Sequence, residues 1–125
     1  MSKITIDVKS RKPIFEQLRD NIRTLALSGV LSPDEQLPSI RSLACELAIN
    51  PNTIQKAYAV LERDGIIYSL PARGSFVSAD LGGIRTAERE ALLSVIAAKL
   101  HSAATMGVKR SEIEQILDKE WRENS

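Results

Sequence analysis

Between residues 37 and 65 the chain reads LPSIRSLACELAINPNTIQKAYAVLERDG. Ile40, Leu43, Ala44 and Leu47 fall at i, i+3, i+4 and i+7, which makes one apolar stripe on a short helix. Ile54, Ala57, Tyr58 and Leu61 repeat that spacing on a second. Ser39 is placed to cap the first helix, and Asn50 to cap the second, whose first turn Pro51 suits. Gly65 can stop the second helix in a left-handed conformation. Two amphipathic helices with so short a connection must cross steeply, as in a helix-turn-helix.

The same patterning extends to both sides. Residues 3–8 alternate apolar and polar, the mark of a short half-buried strand. After Ser10-Arg11-Lys12-Pro13, the residues Phe15, Leu18, Ile22 and Leu25 recur at helical spacing until Gly29. That helix is expected to pack across the other two and complete a three-helix core. Residues 32–35 form a polar turn. Residues 66–70 are a β-branched and aromatic run, Pro71-Ala72-Arg73-Gly74 is a turn, and Ser75-Phe76-Val77 is extended again. A helix-turn-helix followed at once by a hairpin with Arg73-Gly74 at its tip is a winged helix.

Beyond the hairpin the composition shifts. Residues 78–83 include small residues and paired glycines, and 79–85 read as a flexible link. Residues 86–106 predict a helix carrying Ala91, Leu92, Val95, Ile96, Leu100 and Ala103. Gly107 breaks it, and Ser111 with Glu114 reads as a capping box for a second helix. The predicted class is α+β and mostly helical. A winged helix-turn-helix of three helices and a β-hairpin wing fills residues 1–78, a linker 79–85, and a two-helix hairpin 86–125. Two such helices bury too little surface to stand alone. The expected solution is a two-fold pairing with a second copy through Leu92, Val95, Ile96, Ile113, Ile116, Leu117 and Trp121.

The outward face of the helix after the turn carries the chemistry. At about 100° per residue, Asn52, Lys56, Ala59 and Arg63 point away from the core, flanked by Thr53 and Gln55. Asn and Gln side chains can pair with adenine, and Lys with guanine or phosphate. Acid is absent from this face until Glu62, and Ala59 lets a groove floor come close. The tip Arg73 suits a minor groove, which attracts cations most where it is narrow. Gly74 permits a positive φ and a close backbone approach.

LPSIRSLACELAINPNTIQKAYAVLERDGII followed by ARGSFV resembles the N-terminal DNA-binding domain of GntR-type bacterial regulators, over about the first 78 residues. The LPS-x-R-x-LA opening, the N-x-x-T turn, the AY-x-x-LE-x-DG helix end and the RGSFV wing carry the resemblance together. The short remainder is similar to the small YtrA-like subgroup. The resemblance implies a dimeric transcription factor, and the expected activity is repression. It implies DNA contact by Arg41, Asn50, Asn52, Thr53, Gln55 and Arg73-Gly74, with Gln55 standing where other members carry a basic residue.

Composition narrows the alternatives. The chain has 125 residues, 43% apolar and 26% charged, with a net charge of +1. Affinity for nucleic acid must therefore come from local arrangement of charge. The one cysteine, Cys45, permits no intrachain disulfide and reads as a small buried hydrophobe. No signal peptide or spanning apolar run is visible, so the expected compartment is a reducing cytoplasm. His101 is the sole histidine, and no metal set, phosphate loop or catalytic constellation accompanies it. No cofactor and no enzymatic activity are expected. The expected partners are a double-stranded operator and a second copy of the chain. The rival uses are a protein-docking winged helix, or a helical tail that holds a small effector.

Overall fold

The computed structural model describes residues 3–124. The chain divides into two compact units, residues 1–85 and 86–125. In the first, helix α1 (Ile14–Ser28) follows Pro13 and ends at Gly29, whose φ of 85° is left-handed. Its buried face carries Leu18, Ile22 and Ala26, with Phe15 and Leu25 packed at the margin. Helix α2 (Ile40–Leu47) is capped by Ser39, whose hydroxyl oxygen accepts from Ser42 N at 3.0 Å. Helix α3 (Pro51–Arg63) is capped by Asn50, whose Oδ1 accepts from Asn52 N at 2.8 Å.

Between α2 and α3 the chain turns at Ala48, which takes a left-handed φ of 56°. A Cβ there costs roughly 1–2 kcal/mol. Ile49 N bonds back to Ala44 O at 3.1 Å, which helps fix the turn. Leu18, Ile22, Leu43, Ile54, Ala57 and Leu61 from the three helices are fully buried in one core. Tyr58 joins them and donates its hydroxyl to Pro38 O at 2.7 Å.

Gly65, at φ 79°, stops α3 and starts the wing. Strands β1 (Ile67–Leu70) and β2 (Gly74–Val77) pair antiparallel, with Ile67 opposite Val77 and Tyr68 opposite Phe76. Alternation sends Ile67 and Val77 into the core. Tyr68 and Phe76 stack on the other face, ring centroids 5.5 Å apart. The turn at residues 32–35 does more than reverse the chain. Asp34 N donates to Val77 O at 2.8 Å, Val77 N to Glu35 O at 2.9 Å, and Leu37 N to Ser75 O at 2.8 Å. The segment thus lines the free edge of β2.

Three expectations for this unit change. Residues 3–8 form no strand, because α1 side chains take their backbone groups. Thr5 N donates to Asn21 Oδ1 at 3.0 Å, Asp7 N to Gln17 Oε1 at 2.7 Å, and Gln17 Nε2 to Asp7 O at 3.1 Å. Only Ile4 is buried, and Val8 is 75% exposed. Cys45 is exposed. It follows Ala44 by one residue, about 100° around the helix, and so turns off the apolar stripe. The expected flexible link is structured: Leu81 is buried, and helix α4 (Gly82–Thr105) already begins at Gly82. Ile84 packs against the core, and Arg85 Nε donates to Leu27 O at 2.7 Å.

In the second unit the chain turns after α4 at Gly107, φ 84°, with Val108 N bonded to Ala103 O at 3.0 Å. Helix α5 (Arg110–Glu123) starts earlier than its expected Ser111–Glu114 box. Glu112 performs that task, its Oε2 accepting from Lys109 N at 2.8 Å, while Glu114 pairs with Arg110 at 2.9 Å. None of this unit's described residues is buried.

Tyr58→Phe keeps the packing and deletes the bond to Pro38, leaving a carbonyl without its donor. We expect a loss of about 1–2 kcal/mol in urea denaturation. Burial also raises the Tyr58 pKa above the ordinary 10.0. The neutral phenol's contribution is therefore complete at neutral pH and is lost as pH rises above 10.0, where the unfolded phenol ionises first. Denaturation midpoints of Tyr58→Phe should fall less steeply across that range than those of the parent, and parallel curves would refute the assignment.

Candidate nucleic-acid interface

Helix α3 turns Ile54, Ala57, Tyr58 and Leu61 inward, so its other side is what solvent meets. Asn52, Gln55, Lys56, Ala59 and Arg63 are exposed there, and Thr53 is half-buried at the edge. An amide pair, a small residue and two cations on a helix held by its own core is a surface that can enter a groove. At the far end of the face, past Glu62, Arg63 Nε lies 3.6 Å from Asp64 Oδ1.

Two of the predicted residues acquire particular roles. Asn50 spends its side-chain oxygen on the α3 cap, so only its amide N–H groups remain to donate outward. Lys56 does not extend freely. Its Nζ sits 4.4 Å from the centroid of the Phe15 ring on α1. Arg19 of α1 stands over the same ring at 5.6 Å. Arg41, the second residue of α2, is exposed. So are Arg73 and Gly74 at the wing.

The wing tip is braced by residues that pattern reading did not single out. Gln36 Nε2 donates to Arg73 O at 2.7 Å. Gly74 has a φ of 116°, which favours glycine, and a Cβ there would meet Gln36 Nε2 at 3.0 Å and press on the amide that holds Arg73 O. Tyr68 donates to Asp34 Oδ1 at 2.7 Å, and that bond raises the tyrosine's pKa. Gln36 and Asp34 lie far from the tip in sequence, and only the pairing of residues 34–37 with β2 could have pointed to them.

In the second unit Leu92, Val95, Ile96, Ile116 and Leu117 are exposed, Ile113 is half-buried, and Trp121 is 71% exposed. A groove of about 380 Å³ runs past Leu100, Ala103, Val108, Ile113 and Leu117, with Arg110 and Glu114 also lining it. Among the described residues no group of His, Cys, Asp or Glu is placed to hold a metal. No described helix is long and apolar enough to cross a membrane.

Comparison with known proteins places this geometry. Residues 14–77 match the family model of the bacterial regulatory proteins, gntR family. The HTH-type transcriptional repressor YtrA of Bacillus subtilis (strain 168) is 47% identical over 75 residues, which cover 60% of this chain and 58% of that protein. The chain thus spans less than two thirds of that relative's length. A transcriptional regulator from Oenococcus oeni superposes with a TM-score of 0.73 at 30% identity, covering 92% of this chain and 96% of that one. The DNA-binding domain of AraR, solved in complex with operator ORX1, superposes with a TM-score of 0.52 at 26% identity, over 59% of this chain and 92% of that one. The chain belongs to the gntR family of bacterial regulatory proteins.

Proposed function

We propose that this chain is a sequence-specific DNA-binding transcription regulator, a repressor that binds a two-fold symmetric operator as a homodimer. The observation that carries the reading is the exposed polar face of α3, with Asn52 and Gln55 held on a helix whose opposite side is wholly buried. In this reading α3 lies in the major groove, where the two amides meet base edges and Thr53 supports them. Arg41 reaches the phosphate chain, and Arg73 enters the flanking minor groove. The operator-bound AraR domain and the repressor YtrA support the DNA partner and the direction of regulation. A docking surface for another protein would call for aromatic or aliphatic anchors, and the α3 face offers Ala59 alone.

The second unit supplies the dimer. Leu92, Val95, Ile96, Ile113, Ile116, Leu117 and Trp121 give an apolar surface with no buried residue of its own to cover it. Linking two readers raises avidity by about 10² to 10⁴ through effective concentration alone. The working division therefore falls near residue 85, with the reader before it and the dimeriser after it. A second reading, in which the tail holds a small effector, draws on the open apolar groove beside Ile113 and Leu117.

Four outcomes test the proposal. On a duplex selected from a random pool, Asn52→Ala or Gln55→Ala should cost about 1–3 kcal/mol and relax preference at one base position. An unchanged ratio between selected and random duplex removes that residue from readout. Arg41→Ala should weaken all sequences alike and lower the salt slope by about one unit. Arg73→Ala should instead penalise A/T-rich flanks most, and equal losses on G/C flanks would make it a plain phosphate contact. Sedimentation should find a dimer at micromolar concentration, shifted toward monomer by Trp121→Ala. A monomeric parent chain would sink the dimer and favour the effector reading of the groove.

A further inference from the structure

The Phe15 ring is an unusual neighbour for a residue of the reading helix. Lys56 Nζ rests 4.4 Å from its centroid, and Arg19 Cζ stands at 5.6 Å. Both distances lie inside the range over which a ring quadrupole attracts a cation. The local carboxylate is already engaged: Asp20 is paired with Lys12 and, at 3.0 Å, with Arg19 Nε. Three cations therefore gather around one carboxylate and one aromatic ring. The difference between the two holders matters. A carboxylate that fixes a lysine also cancels its charge, whereas a ring fixes it and leaves the charge whole. The Lys56 ammonium is thus held in place with its full attraction for an anion intact.

Its position selects the anion. On α3 Lys56 lies between the outermost line, marked by Asn52 and Arg63, and the half-buried edge marked by Thr53 and Val60. The ring that holds it belongs to α1. A helix seated in a major groove meets base edges along its outermost line and the two phosphate rows along its flanks.

We infer that Phe15 is a positioning residue, whose ring holds the Lys56 ammonium on the α1 flank of the reading face as a DNA phosphate contact. Lys56 then adds affinity for every duplex and takes no part in choosing bases. This rests on the DNA-binding reading proposed above, and it assigns to an apolar residue of α1 a share in binding. Lys12 and Arg19 are both tied to Asp20, which offsets part of their charge, so Lys56 is the cation of this group held by the ring with its charge unopposed.

The experiment measures binding of the full chain to a mixed-sequence duplex over a series of KCl concentrations, and to a pool-selected duplex at one of them. Lys56→Ala should lower the salt slope by about 0.9, one phosphate contact, and leave the selected-to-random ratio unchanged. Phe15→Met fills similar space without a quadrupole, and should lower affinity and slope in the same direction. Phe15→Trp, with the strongest cation-attracting face, should keep the parent slope. In a Lys56→Ala background, Phe15→Met should add nothing further. A folding defect in Phe15→Met would show as a lost melting transition. In that event the parent chain still decides, since the Lys56 ε-methylene protons must show an upfield ring-current shift by NMR. Absence of that shift overturns the inference. So does a full parent slope in Lys56→Ala, or in folded Phe15→Met, and so does a changed base preference in Lys56→Ala. A parent chain that fails to bind duplex even at low salt sinks the functional reading itself, an outcome distinct from each of these.

Discussion

Three residues, Ala48, Ile49 and Asn50, separate α2 from α3. So short a connection leaves the chain few ways to turn, and the one adopted needs a left-handed residue at Ala48. The cost of that backbone is offset locally by the bond from Ile49 N to Ala44 O and by the Asn50 cap. Everything that makes the reading face usable follows from this crossing. It puts Leu43 and Ala44 of α2 in one core with Ile54, Ala57 and Leu61 of α3. The opposite side of α3 is then the side with nothing packed over it. A longer loop would leave the crossing angle to side-chain packing alone, and the register of Asn52 and Gln55 toward a groove would loosen with it.

The wing depends on a second constraint, set at the other end of α3. A two-stranded hairpin is marginal in water by itself. Here Ile67 and Val77 anchor its inner face, while residues 34–37 line the β2 edge with backbone bonds. Gln36 reaches beyond them to the carbonyl of Arg73. The tip is therefore braced from outside the hairpin, by a segment that precedes both reading helices. A tip held this way presents Arg73 with less of the ordering cost that a free loop would incur on meeting DNA.

Much of this was legible in the chain. Helical spacing located α1, α2 and α3, because each buries one stripe against a common core and ends at a recognisable cap or glycine. The hairpin was legible because β-branched residues flank a Pro-to-Gly turn. What escaped were features decided by a distant partner. Residues 3–8 have the alternation of a strand, yet Asn21 and Gln17 on α1 take the backbone groups that a sheet would have used. Gly82 and Gly83 look like a hinge, but buried Leu81 and the packing of Ile84 fix the chain on either side of them. The candidate site divides the same way. The exposed positions of Asn52, Gln55 and Arg41 follow from helix phase, whereas the capture of Lys56 by Phe15 joins residues on two helices that no spacing rule connects.

That capture bears on how a chain of net charge +1 would hold the polyanion proposed as its partner. A protein without a bulk positive field gains little from long-range attraction, so its phosphate affinity must come from a few cations placed in register with the backbone. A flexible lysine loses rotamer entropy when it takes up such a place, and that loss subtracts from binding. If the ring of Phe15 has already fixed Lys56 in the free protein, the loss is incurred during folding, where the packing of α1 against α3 offsets it. For Arg73 the ordering is of the backbone only, whose carbonyl Gln36 holds. On the proposed reading, few charges in place beforehand would keep attachment to arbitrary duplex weak and leave the discrimination to the amides of α3. Specificity in such a reader comes as much from the scarcity of its cations as from its base contacts.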